Sequence, residues 1–281
     1  MSLKIEAAVS IGTEPCVVAW ADKLFVGTED GSIKTFDANL AAGVSWTAHS
    51  AQLFALCADE GKVYSSSNDG GIRVWSDKGE KLAELSTAGA DVGVLRIFDK
   101  HLYAGDEAGN VIVYENNTEK ARYNLLEEVK DLGFSSPLLF TVRDLDVTIT
   151  EIYHESSRNR YLTRHTMEGR APLSVSGNRL LIMARGGNSI RLHDASANTK
   201  FKLLHEIKVS DMIVTSLSLT GDNVWTAGWD GYVKRWKLIG DRLESAGEIN
   251  LGCCINALVA VKSDVIYAVL SGGKVMHIKT V

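Results

Sequence analysis

Short runs in which apolar and polar residues alternate recur along this chain, each bounded by Gly, Asn, Asp or Ser. Alternation turns one face of an extended strand to a core and the other to water, so each run predicts a β-strand. Residues 53–88 show it plainly: LFALCADE, KVYSSSND, GIRVWS and KLAELSTA are four such runs separated by turn residues. Residues 214–250 repeat the scheme as VTSLSLTG, NVWTAGWD, YVKRWKL and LESAGEIN. Asp69-Gly70 and Asp230-Gly231 fall between the second and third runs. Such a pair signals a tight hairpin, because glycine accepts a positive φ.

The turn-then-strand phrase has a period. It reads DGSIKTF at 30–36, DGGIRVW at 69–75, AGNVIVY at 108–114, GNSIRLH at 187–193, DGYVKRW at 230–236 and GGKVMHI at 272–278. Anchored on Gly31, Gly70, Gly109, Asn188, Gly231 and Gly273, the intervals are 39, 39, 79, 43 and 42. The interval of 79 spans two periods, and DLDVTITEIY at 144–153 is the copy within it that has lost its glycine. A lone four-stranded sheet cannot bury both faces, whereas seven packed radially can, with most strand edges protected. The predicted fold is therefore all-β: a seven-bladed β-propeller of four-stranded antiparallel blades, one domain over 1–281. After Gly273 there is chain for one strand where the other units have two. LKIEAAVSI at 3–11 is expected to supply the missing strand, pairing with GKVMHIKT to close the ring.

Within this frame the sequence resembles the WD40-repeat family. The second unit carries the resemblance best, with His49, Ser65 in the next strand, Asp69 in the turn and Trp75 ending the third strand. The resemblance implies a buried relay running from Trp to Ser or Thr, then His, then Asp. The sixth unit keeps Thr226, Asp230 and Trp236 with Ser210 near the His position, and the first keeps Asp30 with Phe36 for Trp. In the other units Tyr114, Tyr153, His193 and Ile278 stand at or near the Trp position. Relatives of this kind are commonly scaffolds that receive peptides on the face bearing the turns between second and third strands.

Composition narrows the chemistry. Gly 25 against Pro 3 fits a turn-rich sheet protein, and no segment is apolar enough to span a membrane as a helix. Glu6 interrupts the opening segment where a signal peptide would be apolar, so a cytoplasmic or nuclear protein is expected. Cys16, Cys57, Cys253 and Cys254 lack C-x-x-C spacing and read as reduced, buried thiols; no metal or cofactor is expected. The net charge of −5 is uneven. Residues 1–140 hold 12 Lys/Arg against 21 Asp/Glu, and residues 141–281 hold 18 against 14. Neither half is basic enough to announce nucleic-acid binding.

No catalytic constellation emerges. Ser65, His49 and Asp69 invite a hydrolase reading, but a relay ending in a buried Trp offers no exposed nucleophile. The first strands of the units contribute chiefly Arg96, Lys130 and Asp131, which would place charge at a channel mouth. A small-ligand or enzymatic propeller at that mouth is the alternative to a non-catalytic interaction scaffold. For the scaffold, Trp229 before the turn residue Asp230 is a candidate aromatic anchor, unless its ring folds over a neighbouring loop. Arg143 and Arg185 occupy corresponding turns and could share a pocket for a partner's carboxylate or phosphate, making an acidic- or phosphopeptide reader a second reading. Glu29, Asp106 and Glu107 would make another sector of that face negative. A second basic feature, Arg158, Arg160, Arg164, His165 and Arg170, is diluted by Glu155 and Glu168 and is expected on an outer strand or rim. There it could dock an acidic segment or simply discourage aggregation. The partners expected are proteins or peptides in a larger assembly, around a monomeric ring.

Overall fold

The computed structural model describes residues 2–153 and 160–281. Its strands form seven four-stranded sheets, the blades of a β-propeller. Blades one to six occupy residues 15–47, 53–85, 92–124, 131–168, 170–208 and 214–250, with strands hydrogen-bonded in chain order. The seventh combines three strands of residues 255–280 with the N-terminal strand Leu3–Ser10, which pairs with Lys274–Thr280 and closes the ring. Main-chain bonds join the two ends of that sheet, from Ile11 N to Gly273 O at 2.8 Å and from Val281 N to Ser2 O at 2.9 Å. Blade count, strand count and closure all agree with the sequence pattern.

The strands of one blade differ in burial, and their composition says why. Second strands such as Lys23–Thr28, Arg179–Met183 and Asn223–Gly228 are buried on both faces and read as near-continuous apolar runs. Fourth strands such as Arg160–Glu168 lie at the open edge of a sheet and are largely exposed. They carry charges that resist pairing with another chain, among them the Arg122–Glu119 pair at 2.7 Å.

The chain divides into two compact units. One comprises residues 6–130 with 268–277, and its core packs Phe25, Ile33, Leu53, Val63 and Trp75 between blades one and two. The other comprises residues 131–267 with the segments up to Ile5 and from Ile278. Its core includes Phe140, Ile149, Leu180, Ile182 and Phe201 between blades four and five. Side-chain oxygens tie neighbouring blades inside it. Thr215 Oγ1 donates to Ile255 O at 2.7 Å, and Asp131 Oδ2 accepts from Leu173 N at 2.9 Å.

The four cysteines are free, as the sequence suggests, yet they are half-buried rather than buried. Among the described residues no helix is long and apolar enough to cross a membrane.

Candidate functional site

The relay of blade two starts where the chain crosses from blade one. The amides of Ala48 and His49 both donate to Gly31 O at 2.9 Å, which sets the imidazole beneath the blade-two turn. Gly31 has φ +82°, and a Cβ there would lie 2.0 Å from His49 O, so only glycine permits this crossing. His49 Nδ1 lies 2.6 Å from Asp69 Oδ1, and His49 Nε2 lies 2.8 Å from Ser65 Oγ. Trp75 Nε1 donates to Ser65 Oγ at 2.9 Å. A carboxylate can only accept, so His49 Nδ1 carries the proton and Nε2 accepts from the Ser65 hydroxyl. Ser65 is fully buried with its oxygen committed twice, which removes it as a nucleophile.

Electrostatics follows from those bonds. Burial pushes the Asp69 carboxyl up, but hydrogen bonds from the Ser50 amide and the His49 ring outweigh it and hold the group at about 2. Burial holds His49 below its ordinary value despite the neighbouring carboxylate. Arg73 pairs with Asp69 at 3.1 Å and also donates to Ala48 O, so one cation braces the turn and the crossing.

The other blades keep parts of this arrangement. In blade six, Val209 and Ser210 donate to Asn188 O as Ala48 and His49 do to Gly31 O, which makes Ser210 the positional equivalent of His49. Ser210 Oγ donates to Asp230 at 2.7 Å and Trp236 Nε1 donates to Thr226 Oγ1 at 3.1 Å, but among the described residues no imidazole bridges the two halves. Ser210, Thr226, Asp230 and Lys234 line a narrow cleft there, too tight to hold a water molecule. In blade four the register Leu139↔Thr150 places Thr150 in the Trp position. Tyr153 lies three residues farther on, is exposed, and hydrogen-bonds to Glu151.

Among the surface candidates, Trp229 is 51% exposed, so its ring is not folded away. Its backbone is fixed on both sides: the amide donates to Ile213 O at 3.0 Å, and Cys254 Sγ lies 3.6 Å from its carbonyl. Met212, beside Ile213, is 49% exposed. Val214 N donates to Gly187 O at 2.9 Å, which brings the loop into blade six against the blade-five turn carrying exposed Arg185. Arg143 is half-buried in the blade-four turn, with its amide on Asp146 O at 2.9 Å.

Arg170 does not join the outer-strand basic group. It opens the first strand of blade five, and a Cβ on Gly187 would lie 3.2 Å from both its Nη1 and Ile213 Cδ1. The crossing out of blade four, where Gly169 N donates to Leu145 O, carries it to this end of the unit. Arg170 and Met212 are thus the two surface residues that local sequence reading missed or misplaced. The signal for both was the crossing segment, once Ser210 is aligned with His49. Of the remaining rim residues, Arg160 and Arg164 lie on the exposed strand Arg160–Glu168, with Arg164 paired to Glu151. Arg158, like His154 and Glu155, falls outside the described residues.

Two acidic candidates are corrected. Asp106 is fully buried and cannot face a partner: its carboxylate accepts from Asn110 N at 2.7 Å and Asn110 Nδ2 at 2.8 Å, fastening the blade-three turn from within. Asp131 is 3% exposed and bonded to Leu132 N and Leu173 N, so it is a tie between blades rather than a channel charge. Glu29 is exposed in the other unit and accepts from Glu14 N at 3.3 Å. Arg96 is exposed, and Lys130 pairs with Glu128 at 3.4 Å. Among the described residues no group of three or more His, Cys, Asp or Glu could hold a metal ion.

No protein-family model matches the chain, and no curated protein does. Solved structures do. The WD40 β-propeller domain of Doa1 superposes with a TM-score of 0.81 over 99% of this chain and 97% of that one, at 14% identity. The computationally designed protein Ika8 superposes with a TM-score of 0.69 over 99% and 84%, at 18% identity. At such identities the likeness shows the fold alone, a seven-bladed β-propeller.

Proposed function

We propose that this chain is a non-catalytic protein-interaction scaffold whose docking surface lies around the turns and crossings of blades four to six. The observation that carries this reading is Trp229: a large aromatic side chain, half in solvent, on a backbone clamped from two sides. An aromatic on a fixed backbone has only two side-chain torsions to lose when a partner covers it, which suits Trp to anchoring an interface. Exposed Met212 extends the apolar contact, and Arg170 and Arg185 border it. Burial of Ser65, Asp106 and Asp131 in structural bonds supports a scaffold over an enzyme.

The arginines favour a finer reading, in which the partner presents an acidic or phosphorylated segment to Arg143, Arg170 and Arg185. Guanidinium groups bind carboxylate and phosphate with paired, directional bonds. Capture of partners from native extract by wild type and by Trp229→Ala, Arg185→Glu tests both levels. A discrete set lost by the variant, with thermal stability unchanged, is the expected result. If that set survives both substitutions, the surface has been assigned wrongly. If binding is lost with Trp229→Ala but not with Arg185→Glu alone, the scaffold stands and the acidic-segment reading falls.

A further inference from the structure

Between its third and fourth strands, Ser189–Asp194 and Leu203–Lys208, blade five carries a longer connection than the corresponding turns of blades one, two, three and six. A 3₁₀ turn at Ala197–Thr199 leads into Lys200 and Phe201, at φ 55° and 56°. Two successive left-handed residues with side chains persist only where surrounding bonds enforce them. Here Phe201 N donates to Ser196 O at 3.1 Å and Asp194 N to Lys202 O at 3.0 Å. The outcome is that Phe201, 4% exposed, inserts its ring into the core between blades four and five. It packs edge-on to Phe140 at 6.4 Å and stacks on His165 at 5.4 Å.

The carbonyl of that same Phe201 is held by His193, whose Nδ1 lies 2.8 Å away. The register Leu180↔His193 puts this histidine where Trp75 stands in blade two. A carbonyl only accepts, so Nδ1 bears the proton and Nε2 is the bare nitrogen. Nε2 is buried with no hydrogen-bond partner among the described residues. A second proton would therefore make a buried imidazolium with one donor unanswered. Its surroundings do not welcome that charge. Arg191 on the same strand and His165 on the outer strand of blade four both oppose it. Glu206 on the following strand favours it, but its carboxylate is already paired with Arg191 at 2.9 Å. From the second strand, Arg179 is engaged by Asp241 at 2.8 Å, while Lys200 and Lys202 of the connection are exposed. Burial is the largest influence and keeps His193 below the usual histidine range.

We propose that residues 195–202 form an acid-released latch, closed while His193 is neutral and opened when it is protonated, withdrawing Phe201 from between Phe140 and His165. The sign follows from linkage. A histidine depressed in the closed form stabilises closure above its ordinary value, and the stabilisation is lost as pH falls through the closed-form value.

Hydrogen exchange on the full chain at pH 7.0 and 5.0, corrected for intrinsic rates, tests this. A group that titrates near 6.5 only when open raises the opening constant about twenty-fivefold between pH 7.0 and 5.0. The amides of 195–203 should show an increase of about tenfold or more, while the strands Asn223–Gly228 and Tyr232–Ile239 stay protected. His193→Gln can still donate to Phe201 O but does not titrate, and it should abolish the step. A corrected rate equal at both pH values, or a step retained in His193→Gln, overturns the proposal. Should that variant not fold, the wild-type His193 ring titration followed by NMR decides. Its midpoint must lie below 6.5, with exchange accelerating between 6.5 and that midpoint, and a value at or above 6.5 overturns the latch.

Discussion

Ser65→Ala and Thr226→Val each delete one hydroxyl oxygen and little else, so together they weigh the complete relay of blade two against the interrupted one of blade six. Both oxygens are buried, and each accepts the indole N–H of its Trp. Ser65 Oγ additionally serves His49 Nε2 at 2.8 Å, whereas Ser210, in the corresponding position of blade six, bonds to Asp230 instead. Leaving a buried polar group unsatisfied costs about 1–3 kcal/mol. Ser65→Ala orphans two groups and should cost about 2–6 kcal/mol; Thr226→Val orphans one and should cost about half as much, about 1–3 kcal/mol. At roughly 2 °C per kcal/mol for a chain of this size, the melting temperature falls by about 4–12 °C in the first case and about 2–6 °C in the second. Scanning calorimetry at one fixed scan rate reads the difference. A cycle with Trp75→Phe sharpens it, because removing the indole first leaves only His49 to be orphaned and cuts the cost of Ser65→Ala by about 1 kcal/mol. Equal losses in the two blades, or strict additivity in the cycle, would refute the claim that the relay acts as a connected chain.

Two further predictions concern the same turns. Ser210→His must push aside the side chains that leave no water-sized space between Asp230 and Thr226, and should lower the melting temperature by about 2–6 °C, for about 1–3 kcal/mol of overpacking; a rise would show that blade six can complete the relay. Asp69 is held at about 2, so its contribution is complete above its ordinary value near 3.8 and is lost as pH falls towards 2. Asp69→Asn should therefore cost about 2 kcal/mol at pH 7 and nearly nothing at pH 2, measured by denaturant unfolding across that range; a pH-independent cost would contradict the assignment.

The blade count was legible because five of the seven turns repeat a glycine at one register and alternating apolar runs recur between them. What escaped were side chains whose role depends on a backbone group far away in sequence. Asp106 and Asp131 look like surface carboxylates because Asp is usually exposed, and only the amides of Asn110 and Leu173 draw them inward. Arg170 follows a run of outer-strand arginines, so proximity in sequence assigned it to the wrong end of its unit. Tyr153 offered an aromatic ring near the Trp position, while the register chose Thr150 because the blade-four turn is short. Trp229 was legible as an anchor candidate, but its exposure became clear only with the loops around it described.

The pairing of Leu3–Ser10 with Lys274–Thr280 has a consequence for synthesis. During translation this strand leaves the ribosome well ahead of its partner and waits while the six sheets between them are made. At about 5–20 residues per second that wait is tens of seconds, long against hairpin formation in microseconds. An unpaired apolar strand held that long would invite pairing with a neighbouring nascent chain. Lys4 and Glu6 sit on its exposed positions and make such pairing costly, so these two charges guard the strand before its seat exists.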